Sequence, residues 1–119
     1  MGWLDALRRP RAEDPRAALV APIEQALRAL GWVVGEVRPA RTVTSAFGSD
    51  DGMPFEQWLA QVFLPRLYEA RAAGQWPPRS DVAVAAFRNL DGQPGVEPLL
   101  RLMAQLDERI NKGIHAARG

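Results

Sequence analysis

The sequence predicts a small all-α protein, folded as a mostly antiparallel four-helix bundle. Apolar residues recur at helical spacing in four separate segments. Glycines and prolines such as Gly31, Gly74 and the pair Pro77-Pro78 interrupt the pattern where one segment gives way to the next. Each segment carries a single apolar stripe, so the helices need one another to bury these stripes.

The length of 119 residues suits one domain with one core, and we interpret residues 1–119 as a single helical domain. Residues 1–13 are predicted to be a loosely attached N-terminal segment. They contain Trp3, Leu4 and Leu7 at helical spacing, followed by arginines. The same pattern fits a peptide that contacts a partner or a membrane, but a frayed terminus is the simpler interpretation.

The first helix is predicted over residues 15–31. Asp14 is a good N-cap, and Pro15 is tolerated at the first helical position. Gly31 supplies the stop. Pro22 removes one backbone hydrogen bond inside the pattern, so the helix is expected to bend or restart there, and its continuity is left open. The apolar face consists of Leu19, Ile23, Ala26, Leu27 and Leu30.

A long loop, residues 32–52, follows the first helix. It contains too many apolar residues for a disordered segment, so we expect an ordered loop between the first and second helices, with at most a rudimentary β-bridge. Trp32, Val34 or Phe47 is expected to pack onto the helices.

The second helix, residues 54–74, has the strongest periodicity. Pro65 lies inside it and cannot donate to the carbonyl of Gln61. This predicts a bend, or alternatively a freed carbonyl that lines a site. On an ideal helical wheel Leu64 falls opposite the apolar stripe. The stripe consists of Phe55, Trp58, Leu59, Val62 and Phe63.

Arg66 falls inside that stripe on the same wheel. Burying a guanidinium group costs free energy unless the group is paired. Arg66 is therefore expected to extend to the rim along its aliphatic stem, or to pair with a carboxylate such as Glu69, Asp81 or one from the last helix. The remaining alternative is that it faces a ligand or a partner.

Two further helices complete the bundle. A short helix over residues 81–90 is expected to be capped by Ser80 and Asp81. The last helix spans residues 96–113, and Asp107 and Glu108 are predicted on its solvated side. The short helix has the apolar residues Val82, Ala83, Ala86, Phe87 and Leu90, and the last helix has Leu99, Leu102, Met103, Leu106, Ile110 and Ile114.

Composition and motifs exclude several functions. The chain has no cysteine and a single histidine, His115, near its end. It contains no zinc-protease motif, phosphate-binding loop or dinucleotide-binding motif. We therefore expect no catalytic residues, no metal site, no cofactor and no enzymatic activity. The net charge of +1, with acidic and basic residues interleaved, argues against nucleic-acid binding.

The N-terminus lacks a signal-peptide pattern, and no stretch approaches the length of a membrane span. We expect a soluble cytoplasmic protein, either a monomer or a homodimer. Arginine far outnumbers lysine, and together with abundant alanine this suggests a GC-rich bacterial genome.

The centre of the chain resembles the YqcC-like family of small bacterial proteins. The residues that carry the resemblance are Phe47, Asp51, Met53, Phe55, the run Gln57-Trp58-Leu59, the pair Val62-Phe63 and the pair Pro65-Arg66. The similarity extends over residues 15–112 and implies an all-α bundle from a family with no established activity. One departure is the short helix, where family members often have a glutamate and this chain has Ala85-Ala86-Phe87-Arg88-Asn89.

Some labels of this family mention a tRNA pseudouridine synthase. The resemblance to the family does not imply that activity for this chain. Such an enzyme needs a catalytic aspartate in a characteristic motif on a larger, β-rich domain, and the sequence shows neither.

Three functional hypotheses follow. The first is an interaction or accessory module without catalysis, which binds a protein partner through the Phe47–Met53 loop and the start and rim of the second helix. The second is a bundle that binds a small anionic ligand through Arg66. The third is an accessory protein in RNA modification. The candidate binding residues are Phe47, Asp51, Met53, Trp58 and Arg66.

Overall fold

The computed structural model describes residues 14–40 and 53–116. Within these ranges the chain forms four helices and no strand, which confirms the predicted small all-α bundle. We number them α1 (Val20–Ala29), α2 (residues 55–73), α3 (Val82–Leu90) and α4 (Glu97–Ala116). Helix α4 packs against both α1 and α3, and α1 also packs against the second half of α2.

A 3₁₀ turn, Ala17–Leu19, leads into α1. The Asp14 carboxylate accepts a hydrogen bond from the backbone N–H of Arg16, at 2.8 Å, just before this turn. The N-cap position of the turn is Arg16, which makes no capping hydrogen bond with its side chain, so Asp14 does not take the N-cap position predicted for it. Pro22 is the third residue of α1 and lies in the first turn, where backbone N–H groups have no partner within the helix. The proline therefore does not interrupt α1. Gly31, with φ of 80°, ends the segment.

The connection after α1 places Val33 in the core and leaves its neighbour Val34 exposed by 85%. The chain turns at Gly31 and again at Gly35, which both have positive φ, so Val33 faces the helices and Val34 faces solvent. Of the residues expected to pack onto the helices, Trp32 is half-buried against the core and Val34 is not. Residues 32–40 form no β-bridge, and Phe47 lies outside the described residues.

Helix α2 changes its winding midway. It consists of an α-helical turn (Phe55–Trp58), a π-helical turn (Leu59–Phe63) and a longer α-helical segment (Leu64–Ala73). The N–H of Leu64 donates to the carbonyl of Leu59, five residues back. Pro65 then lies in the first turn of the last segment, where proline is tolerated. The irregularity that the proline predicts is thus a π-turn.

The π-turn also corrects the helical wheel. Such a turn contains one extra residue, which rotates everything after it by about 100° relative to an ideal α-helix. Leu64, predicted opposite the apolar stripe, is fully buried, and Leu67 takes the stripe position that the wheel assigns to Arg66. Arg66 itself is exposed.

Helices α3 and α4 supply the rest of the core. Four of the five apolar residues predicted to face inward from α3 do so, but Phe87 is 53% exposed. The side chains of α4 that are buried at helical spacing include Leu99, Met103, Leu106 and Ile110. Ile23 and Leu27 of α1 and Leu59 and Val62 of α2 join the same core.

Candidate functional site: an apolar cleft between α2 and α4

A cleft of about 590 Å³ lies between the second half of α2, the connection of residues 74–81 and α4. This volume is within the range of sites that bind ligands or peptide side chains. The buried apolar side chains of the lining, which we call the floor, are Trp58, Phe63, Leu67, Val82, Leu106 and Ile110.

One wall of the cleft is the face of α2 that carries Arg66, Ala70 and Ala73. These residues are spaced four and three apart and therefore lie along one side of the helix. The two alanines are small and leave room beside the helix axis. The π-turn sets this face, since it rotates the segment that starts at Leu64.

Beneath the cleft, three aromatic rings form a continuous stack. Trp58 stacks on Phe55 with ring centroids 5.6 Å apart, and on Phe63 at 5.7 Å, with interplanar angles of 20° and 22°. All three side chains are buried. Trp58 is therefore a rigid part of the floor and not an exposed anchor for a partner.

The opposite wall is the connection of residues 74–81, and two polar residues of α4 hold it in place. Asp107 accepts hydrogen bonds from the Ser80 hydroxyl, from the N–H of Val82 at 3.2 Å and from the N–H of Ala83 at 2.8 Å. The Asn111 amide accepts from the Ser80 N–H at 3.0 Å and donates to the Ser80 carbonyl at 3.1 Å. Helix α4 therefore caps α3 and fixes this wall.

This arrangement corrects two predictions. Asp107 is buried rather than solvated, and Asp81, at the N-cap position of α3, makes no capping hydrogen bond with its side chain. The spacing of Asp107 and Asn111 could have indicated that they hold this wall, because they lie four residues apart and next to Leu106 and Ile110 of the apolar stripe.

The charged residues in the lining are Arg66, Glu69, Arg79 and Asp81. The ion pairs within the described part of the chain are Asp14–Arg16, Glu24–Arg28 and Glu108–Lys112. Arg66 and Arg79 belong to none of them, so their guanidinium groups lie at the rim of the cleft without a carboxylate partner among the described residues.

The first described residues of the chain are fixed at the mouth of the cleft. The Arg16 guanidinium lies 5.6 Å from the ring centroid of Trp76, which lines the cleft. Arg109 of α4 donates a 2.7 Å hydrogen bond to the Pro15 carbonyl. A bidentate ion pair with Asp14 orients Arg16. This pair lowers the pKa of Asp14 and raises that of Arg16.

A second polar network lies on another side of α2 and is structural. The Tyr68 hydroxyl donates to Glu24 of α1, and Arg28 donates to the same carboxylate at 2.7 Å and to the Gly35 carbonyl at 2.8 Å. Arg71 lies over the Tyr68 ring at 4.7 Å. These contacts join α1, α2 and the connection after α1.

The residues singled out in the sequence do not form one surface. Met53 and Trp58 are buried, whereas Arg66 is exposed at the rim of the cleft. The structure thus brings Trp58 and Arg66 to the same cleft, one in its floor and one at its edge. Phe47 and Asp51 lie outside the described residues.

Within residues 14–40 and 53–116, no three acidic, histidine or cysteine side chains lie close enough together to hold a metal ion. No helix in these ranges combines the length and apolar character that crossing a bilayer requires.

The fold and the cleft define a small all-α protein with an open groove beside its longest helices. Residues 16–109 match the model of the family DUF446, which is described as tRNA pseudouridine synthase C, and the chain belongs to this family. The match confirms the resemblance to YqcC-like proteins. Neither a curated protein nor a solved structure matches the chain.

Proposed function

We propose that this protein is a binding module whose cleft receives an apolar segment of a partner protein. The observation that carries the proposal is the open cleft of about 590 Å³, which has an apolar floor and two arginines outside any described ion pair at its rim. Recognition of an amphipathic helix by a groove uses this combination. Apolar anchors enter the groove, and charges at its edge fix the orientation.

Two features favour a peptide segment over a small anion as the occupant. The wall from Arg66 to Ala73 is roughly 10 Å long, which matches about two turns of a partner helix. The lining also contains both signs of charge, since Glu69 and Asp81 accompany Arg66 and Arg79. A lining of mixed charge complements a peptide that carries both kinds of side chain.

A pair of adjacent alanines tests the proposal. Ala72 and Ala73 are both exposed on α2, but only Ala73 lines the cleft. A partner would be captured from native lysate with the wild type and then purified. Ala73→Trp should fill the cleft and lower the affinity for this partner by about tenfold or more, which corresponds to about 1.4 kcal/mol. The control Ala72→Trp should bind normally. Equal affinities of the two variants would reject the cleft as the binding site.

A second candidate function is supported by Arg66 and Arg79 alone. Two guanidinium groups that have no carboxylate partner in the described part of the chain suit a small molecule that carries a carboxylate or phosphate. A panel of such compounds should then raise the melting temperature of the wild type by mass action, and Arg66→Gln should abolish the shift. If no compound raises the melting temperature of the wild type, this candidate function is rejected.

The family description is the only support for a third candidate, an accessory role in tRNA modification. In that case the protein, or its complex with a modifying enzyme, should bind tRNA with an affinity that falls steeply as salt rises. Absence of binding at low salt, by the protein alone and with its captured partner, would dismiss this role.

A further inference from the structure

We propose that the N-terminal residues 1–13 of the chain dock in the cleft and cover it until a partner displaces them. This inference rests on the proposed function, because it assigns regulation to the same site. Residues 1–13 lie outside the described part of the structure, which begins at Asp14. The residues that follow them, Pro15 and Arg16, make contacts at the cleft.

The point where the segment joins the described chain is the first argument. Arg16 packs over Trp76 of the cleft lining, and Arg109 of α4 holds the Pro15 carbonyl. Arg109 is the immediate neighbour of Ile110, which lies in the floor. The segment therefore starts at the mouth of the cleft.

The pattern of the segment is the second argument. Trp3, Leu4 and Leu7 are spaced as one face of a helix, which is the pattern that helix-in-groove recognition needs. Arg8, Arg9 and Arg11 follow. Glu69 and Asp81 in the lining offer carboxylates of the opposite sign to these arginines.

The length of the segment is the third argument. The seven residue-to-residue steps from Leu7 to Asp14 span at most about 24 Å when extended, and a helical path is shorter, so Leu7 stays near the mouth of the cleft. A tether this short gives an effective concentration in the millimolar range. Even a weak intrinsic affinity then keeps the cleft covered, and a partner has to compete with the segment.

Cross-linking tests the docking directly, because the natural chain has no cysteine. We would compare the full-length variant Leu4→Cys/Ala73→Cys with Leu4→Cys/Ala72→Cys during mild oxidation. An intramolecular disulfide should form at least about tenfold faster with position 73, since geometry decides which thiols can join. Equal rates, no disulfide in either variant, or a disulfide that forms only between two copies of the chain would overturn the proposal.

A second measurement separates this inference from the proposed function. Anilinonaphthalene sulfonate, an apolar anionic dye, would be titrated into the full-length wild type and into Trp3→Ser/Leu7→Ser, each with and without Ala73→Trp. Circular dichroism would check that every variant is folded. We expect the double variant to bind the dye roughly tenfold more tightly than wild type, and Ala73→Trp to reverse the gain.

Equal, Ala73-sensitive binding by wild type and the double variant would overturn the covering segment and leave the cleft as a binding site. If dye binding is absent or insensitive to Ala73→Trp in every variant, the proposed function fails together with the inference.

Discussion

Asp107 shows how one buried carboxylate joins two helices. It accepts from the hydroxyl of Ser80 and from two backbone N–H groups at the start of α3, which supplies no capping bond of its own. Those N–H groups are buried in the interface and lose their partner if the carboxylate is removed.

We therefore predict that Asp107→Ala lowers the free energy of unfolding by about 2–4 kcal/mol, measured by urea denaturation. The adjacent Glu108 is the matched control, because it is exposed and, among the described residues, pairs with Lys112 along α4. Glu108→Gln should change the stability by less than about 0.5 kcal/mol. Similar effects of the two variants would contradict the capping role of Asp107.

Asp14 provides a prediction about pH. Its hydrogen-bonded pair with Arg16 lowers its pKa in the folded state. A carboxyl group with a depressed folded pKa stabilises the protein above its unfolded pKa, near 3.9, and this contribution disappears as pH falls through the folded value. The stability difference between wild type and Asp14→Asn, at most about 1 kcal/mol, should thus shrink below about pH 4. A difference that grows on acidification would contradict this assignment.

At the scale of the element, the π-turn of α2 decides which side chains are core and which face the cleft. It accommodates Pro65, and it rotates the following segment so that Leu64 and Leu67 pack inward. Without the turn, the wheel would bury Arg66 in place of Leu67.

Alanine substitutions on either side of Pro65 test this rotation. Leu64→Ala should lower the free energy of unfolding by about 2–5 kcal/mol, because it removes a fully buried side chain. Arg66→Ala should cost less than about 0.5 kcal/mol, since Arg66 is exposed. Thermal or urea unfolding measures both. A small loss of stability in Leu64→Ala together with a large loss in Arg66→Ala would contradict the rotation and favour an uninterrupted α-helix.

These residues also show how far sequence reasoning reaches. Periodicity predicts the helices and the stripe from Phe55 to Phe63 correctly, because local spacing alone determines which face of an α-helix is apolar. It misplaces Leu64 and Arg66, because the wheel assumes 3.6 residues per turn on both sides of Pro65. The unusual wheel position of Arg66 coincides with the π-turn, where the winding of α2 changes.

The capping role of Asp107 was beyond such reasoning for a different reason. Its partners, Ser80, Val82 and Ala83, lie 24 to 27 residues away in the sequence. A single sequence does not indicate which loop folds back over a given carboxylate. The cleft could not be predicted for the same reason, since α2, the connection after it and α4 each supply part of its lining.

At the scale of the whole molecule, the central claim is that this composite cleft binds an apolar segment. The most direct test is photo-cross-linking in cells, with a photoreactive amino acid placed at position 73 or at position 72. Adducts from position 73 should map to an apolar segment, either of a partner protein or of residues 1–13 of this chain, and position 72 should not yield them. The same adducts from both positions, or none from position 73, would contradict the claim.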